Sequence, residues 1–275
     1  MWQEAGPDLK PNVGDLKAGP AGPAPTPASR KPSPVRLNAR LLALARRIPP
    51  GSTVADIGTD HGLLPAYLER NGLVQRVIGT DSSPGSLASA ARTRGLCECC
   101  FDLRLGYGLD VLEPGEAGVL VIAGLGGQTM AEVLSAGMRV AAGADLVIIQ
   151  PMKDVPQFRR WAERSGVETL AEDIVLEGRR LYNILTLGTL DHFSPAGWDA
   201  AEAGIEHEVT GQLLLNEPDA VLKYLRKRHR TRCAMAASRA VARPQEARDD
   251  REVARRLDQH IRQIEQHVRT TEGSC

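Results

Sequence analysis

Val54-Ala55-Asp56-Ile57-Gly58-Thr59-Asp60-His61-Gly62 and, further on, Val77-Ile78-Gly79-Thr80-Asp81 are the stretches whose reading decides the fold. Each begins as a short β-branched, apolar run, the signature of a strand buried on both faces, and each ends in an acid. After the first acid comes a glycine turn, then Leu64 to Arg70 at helical spacing; after the second comes Pro84 to Arg94, again helical. Working outward, Val119-Leu120-Val121-Ile122 and Leu146-Val147-Ile148-Ile149 read as further buried strands, and Phe158 to Arg164 as another helix. Strands alternating with helices imply a doubly wound α/β fold, a parallel sheet with helices on both faces. Residues 166–187 hold two more β-like runs that close the sheet as a hairpin, and Leu37, Leu41, Leu42, Leu44 and Ala45 form a helix ahead of the first strand.

In such a sheet ligands sit at the carboxyl ends of strands. No G-x-G-x-x-G is present, which argues against a pyrophosphate on a helix N-terminus. The acidic strand ends suit a cationic ligand instead. Asp56 or Asp60 can meet an ammonium, Gly58 and Gly62 let backbone approach the ligand, and Asp81 can accept both hydroxyl protons of a ribose. A cofactor with an ammonium, a sulfonium and a ribose is S-adenosylmethionine; a dinucleotide oxidoreductase is the alternative. Ile122-Ala123-Gly124-Leu125-Gly126-Gly127 follows another strand and opens a helix, leaving a cleft for a flat substrate. Each feature also has a purely structural explanation: Asp81 can cap the next helix, and glycine turns after strands are common.

Composition is that of a globular protein, 42% apolar and 25% charged, and no stretch approaches the roughly 20 apolar residues a bilayer requires. No membrane partner and a cytoplasmic location are therefore expected, the N-terminus lacking a secretory pattern. The five cysteines are expected to be reduced thiols. Cys97, Cys99 and Cys100 lack a second pair at zinc spacing and read as a surface loop, so no metal is expected. Residues 1–32, rich in Pro, Gly and Ala, are expected to be a disordered tail, residues 33–193 the α/β domain, and residues 194–275 a helical hairpin with Pro244 near its turn. Its apolar stripe runs through Leu213, Leu214, Leu215, Val221, Leu222 and Leu225, then Val253, Leu257, Ile261, Ile264 and Val268. Net charge is zero, yet residues 223–270 carry fourteen Lys or Arg against six Asp or Glu. A basic face of this kind marks a polyanion partner or, equally, a solvated helix.

The chain resembles the TrmK family of bacterial tRNA adenine-22 N1-methyltransferases. The resemblance is carried by Arg36-Leu37, Ala55 to Pro65, Asn71-Gly72-Leu73, Ile122 to Gly127, Gln150-Pro151, Glu172-Asp173-Ile174, Leu181 to Leu185, and Gly211-Gln212-Leu213-Leu214-Leu215 followed by basic helices. It implies a class I methyltransferase domain with a coiled-coil-like, tRNA-binding arm, S-adenosylmethionine as cofactor, and tRNA as partner of a monomer or weak dimer. It also implies that Arg36, Asp56, Gly58, Thr59, Asp60, His61, Asp81, Ser82, Gly106, Tyr107 and Ala123 bind the cofactor, while Gly124, Gly126, Gly127, Gln150 and Tyr182 border the transfer site. Three departures stand out. Asp81 replaces the family's usual Glu; its G-D-G-L is Gly106-Tyr107-Gly108-Leu109, leaving Asp110 or Tyr107 to serve the adenine; and its Q-P-N is Gln150-Pro151-Met152. Two other functions remain open on the sequence: a methyltransferase for another RNA, a small molecule or a protein, whose hairpin serves dimerisation, and a non-catalytic tRNA-binding relative.

Overall fold

In the computed structural model, which describes residues 35–190, 194–199 and 218–272, the strand-end acids lie side by side at the carboxyl ends of two adjacent interior strands of a seven-stranded sheet. The strands are β1 (Thr53–Ile57), β2 (Arg76–Asp81), β3 (Asp102–Leu105), β4 (Val119–Ala123), β5 (Leu146–Gln150), β6 (Thr169–Glu177) and β7 (Arg180–Leu187), in the order β3-β2-β1-β4-β5-β7-β6. The first five are parallel; β7 runs antiparallel to β5 and pairs with β6 as the expected hairpin. Strand β3 departs from expectation. Its Asp102-Leu103-Arg104-Leu105 lies at the sheet edge and mixes charge with leucine, so it carries no continuous apolar run.

Why the central strands are apolar throughout is visible in β4. Leu120 and Ile122 enter one core with Met130, Leu134 and Phe158, whereas Val119 and Val121 enter the other with Leu44, Leu68 and Ile148. Alternate side chains of one strand thus feed two cores, one per face. The covering helices are α1 (Ala39–Arg47), α2 (Leu63–Arg70), α3 (Pro84–Leu96), α4 (Gly127–Ala136), α5 (Met138–Ala141) and α6 (Val155–Arg164). Asn38 starts α1 by accepting the Leu41 amide at 2.9 Å, and Arg47 at its far end grips Asp173 of β6, Nη2 to Oδ1 at 2.6 Å.

Two long helices, α7 (Pro218–Arg239) and α8 (Pro244–Glu272), form the expected hairpin, with Pro244 in the first turn of α8. Val221, Leu222, Leu225, Val253, Leu257 and Ile261 bury one another and Ile174 of the sheet, and Leu176 and Leu181 pack against them. A polar joint reinforces this contact. Glu172, fully buried, accepts from Asn183 at 2.5 Å and from Arg159 Nε at 3.2 Å, and Arg159 also hydrogen-bonds Tyr224 of α7. Burial opposes the Arg159 charge, but Glu172 and Tyr224 outweigh it and hold the proton more firmly than in water. Expectations for residues 1–32, Leu213-Leu214-Leu215, the Gly211-Gln212 stretch and Cys275 lie outside the described residues.

Arg226, Arg230, Arg248, Arg251, Arg255 and Arg256 of the arm are exposed, in line with a basic outer face, but Arg232 corrects that expectation. Arg232 is buried and donates to Asp250 at 2.7 Å, with Arg239 on the other carboxylate oxygen at 3.0 Å. Arg226 pairs with Glu265 at 2.6 Å, and Arg255 and Arg256 share Glu252. Among the described residues, Lys223, Lys227, Arg230, Arg248, Arg251 and Arg269 carry no ion pair.

Candidate functional site

A cleft of about 700 Å³ opens beside the carboxyl ends of β1, β2 and β4, where the strand order turns from β1 outward in both directions. Its floor is the β1–α2 turn. Gly58 and Thr59 donate their amides to the Thr80 carbonyl, both at 2.8 Å, which ties this turn to β2. Gly58 and, in the β4–α4 turn, Gly124 have φ of +76° and +81°, and a Cβ at either would meet nothing within 4 Å. At both the backbone is bare toward the cleft. Gly62 is different: its missing Cβ makes room for Ala90 of α3, so it serves packing between helices rather than ligand approach.

Four carboxylates line this space, Asp56, Asp60, Asp81 and Glu177, the last of which accepts the Arg40 amide. Asp56, 6% exposed at the end of β1, has its pKa raised from 3.8 to about 6 by burial, against the opposing pull of the Thr59 hydroxyl and the Arg40 charge. Asp60 and His61 stand at the rim, with His61 Nε2 3.6 Å from the Asp60 carboxylate. Asp81 at the end of β2 accepts the Asp60 amide at 3.1 Å and the Ser83 amide at 2.8 Å, one on each oxygen. It therefore fixes both turns while keeping a lone pair on each oxygen for a ligand. Thr80 Oγ1, buried at the cleft wall, has no hydrogen-bond partner among the described residues. Bare glycine backbone, a buried carboxylate only partly compensated by its neighbours and an orphan hydroxyl fit a polar ligand with a cationic end.

Of the residues singled out in the sequence, Asp56, Gly58, Thr59, Asp60, His61, Asp81, Ser82, Gly106, Tyr107, Ala123, Gly124 and Tyr182 line this cleft. Arg36 does not. It is exposed two residues before the N-cap of α1, and the first turn instead directs Arg40 inward. Arg40 donates to Gln150 Oε1 at 2.8 Å, and its guanidinium carbon lies 5.8 Å from the centre of the Tyr182 ring. Gln150 is itself buried and outside the lining; with its oxygen held by Arg40, its Nε2 donates to the Pro151 carbonyl at 3.0 Å. Gly126 and Gly127 also lie outside it. Gly127 opens α4, and a Cβ there would come within 2.9 Å of the Asp154 carbonyl, so this glycine seats the helix against the β5–α6 loop.

Tyr107, 52% exposed, lines the cleft, whereas Asp110 is exposed and does not. Met152, where the resembling family has Asn, also lines the cleft. Arg40, Glu177 and Arg180 were not anticipated. Nothing local marks them, because Arg40 meets Gln150 and, through its amide at 3.0 Å, Glu177 only after the sheet is assembled.

Comparison with known proteins places this geometry. A family model described as a methyltransferase domain matches residues 37–185. The chain is 31% identical over 189 residues, 68% of its length and 78% of the relative's, to the tRNA (adenine(22)-N(1))-methyltransferase of Bacillus subtilis. Its structure is similar to the crystal structure of the B. subtilis m1A22 tRNA methyltransferase TrmK, with a TM-score of 0.64 at 27% identity over 85% of this chain and 99% of that one, and to an uncharacterized Listeria monocytogenes protein, with a TM-score of 0.63 at 28% identity over 84% and 99%. A Streptococcus pneumoniae protein solved with S-adenosyl-L-methionine shares the fold at 24% identity and a TM-score of 0.66, over 81% of this chain and 99% of that one.

Proposed function

The chain belongs to the tRNA (adenine(22)-N(1))-methyltransferase family, and on that premise we propose that it transfers a methyl group from S-adenosylmethionine to N1 of an adenine, at position 22, in tRNA. The observation that carries the reading is the acid-lined, glycine-floored cleft at the strand ends, built on the motifs through which the chain matches its relatives. In this reading Asp56 and Asp60 hold the methionine ammonium, Asp81 the ribose hydroxyls, and Tyr107 stacks on the cofactor adenine. When bound, the cofactor would supply a methyl group on a positive sulfur; the lone pair of adenine N1 would bond to the methyl carbon and the thioether would leave with the carbon–sulfur electrons.

The protein's own task is positioning. N1 lies on the Watson–Crick edge, so the base must leave its stack and enter the cleft before it can react. Tyr182, with Arg40 over its ring, offers that base a flat wall, and Gln150, its amide fixed by Arg40, holds the β5 end in place. No general base is needed for a nitrogen that already presents its lone pair. Residues 33–193 would carry this chemistry, and the arm within 194–275 would hold tRNA phosphates through Lys223, Lys227, Arg230, Arg248 and Arg251, at a cytoplasmic location where tRNA is found. No helix among the described residues is long and apolar enough to cross a membrane.

Incubation of the full chain with transcribed tRNAs and methyl-labelled cofactor, followed by nucleoside mapping, tests the proposal. Label in 1-methyladenosine at position 22 is expected; label in another nucleoside, or none in any tRNA, would overturn it.

A further inference from the structure

Past Met152 lies a second cleft, of about 310 Å³, between the β5–α6 loop and α7. Met152 lines both clefts and is 47% exposed, so it stands as the partition between them. The second cleft is cationic. Lys153 from the loop and Lys227 and Arg228 from α7 line it, against one acid, Asp154, whose carboxylate is 3.8 Å from Lys153 Nζ. Lys227 has no ion pair among the described residues, unlike Arg226 beside it, which is committed to Glu265. Tyr224 lies three residues before Lys227 on the same helix face and is anchored to the buried Arg159, so α7 presents Lys227 over this cleft from a fixed base.

A nucleic acid that delivers one base to the large cleft must place its neighbour and the intervening phosphate within a step of it. Unstacking a base costs a few kcal/mol. Proteins that open base steps commonly insert an apolar wedge, methionine among them, and a thioether makes favourable contacts with aromatic rings. We infer that the second cleft receives the nucleotide adjacent to the target adenosine, that Met152 is the wedge between the two bases, and that Lys153 and Lys227 take the phosphate next to the target. This inference rests on the tRNA-methylating function proposed above and names a subsite for it.

The test uses the full chain and tRNAs carrying a single uncharged methylphosphonate immediately 5′ or 3′ of the methylated adenosine. Lys227→Gln should raise KM for unmodified tRNA roughly tenfold, the loss of one charged hydrogen bond, with unchanged affinity for S-adenosylmethionine, and Lys227→Arg should restore it. At one of the two positions the methylphosphonate should cost the wild-type enzyme a similar factor and cost Lys227→Gln nothing more, because both remove the same contact. Met152→Ala should lower kcat, and Met152→Leu, similar in bulk, should recover most of it. Both positions are exposed at the cleft, so thermal melting should be unchanged. Fully additive losses with both modified tRNAs, or wild-type kcat in Met152→Ala, would overturn the inference while leaving the function standing. A wild-type enzyme inactive on every tRNA would refute the function itself, and this occupant with it.

Discussion

Replacing Asp56 by Asn should make the protein more stable and less able to bind its cofactor. Asp56 is 6% exposed, and burial raises its pKa from 3.8 to about 6. Each pH unit of that difference is worth about 1.4 kcal/mol, so ionising the native carboxyl costs on the order of 3 kcal/mol relative to the unfolded chain. The sign follows from which state holds the proton more tightly. Here it is the native state, so the contribution to stability is fully present below pH 3.8 and is lost as pH rises through about 6. Asparagine is neutral throughout. At pH 8 Asp56→Asn should therefore melt above the wild type by up to roughly 6–12 °C, taking about 2–4 °C per kcal/mol for a chain of this size, and at pH 4 most of the gap should be gone. Calorimetric scans of both proteins at the two pH values measure this, and titration with S-adenosylmethionine at pH 8 should show at least a roughly tenfold loss of affinity. A variant that melts no higher at pH 8, or a gap that does not change with pH, would refute the argument that this carboxylate is strained by burial until a cationic ligand arrives.

Asp81→Ala should weaken S-adenosylmethionine binding at least about tenfold by calorimetric titration, and because Asp81 also holds the Asp60 and Ser83 amides, faster hydrogen exchange at those two amides should accompany it. Arg159→Leu leaves Glu172 charged and buried without its cation, so urea denaturation should show a loss of about 3–5 kcal/mol, much of it recovered when Glu172→Leu is added. Gly127→Ala drives a Cβ to 2.9 Å from a backbone carbonyl that cannot step aside, and should cost roughly 1–3 kcal/mol by the same assay and lower kcat by shifting the α4 end of the cleft.

The central strands were legible because burial on both faces leaves almost only apolar side chains in β1, β4 and β5, the exceptions being Thr53 where β1 starts and Asp56 and Gln150 toward the carboxyl ends of β1 and β5. Edge strand β3 was not, since solvent on one side admits Asp102 and Arg104. The acids and glycines of the cleft were legible for a related reason: each belongs to a turn that directly follows its strand, so order along the chain is order in space. Arg40 and Gln150 lie 110 positions apart, and only the assembled sheet joins them. Arg232 is an instructive miss. It falls seven residues after Leu225 and continues the buried stripe, but its charge disguised the spacing; the partner that makes burial tolerable, Asp250, is on the other helix.

The joint at Tyr224 has a mechanical meaning. Tilting α7 would withdraw its hydroxyl from a guanidinium that water cannot reach, and would break into the cage around Glu172 at the same time. The arm is thus a stiff outrigger, with 22 residues in α7 and a length of about 33 Å, rather than a hinged finger. Under the proposed function, compliance then resides in the RNA. A molecule gripped along the outrigger must itself bend to bring its base to the cleft, and its deformability becomes part of what the enzyme selects.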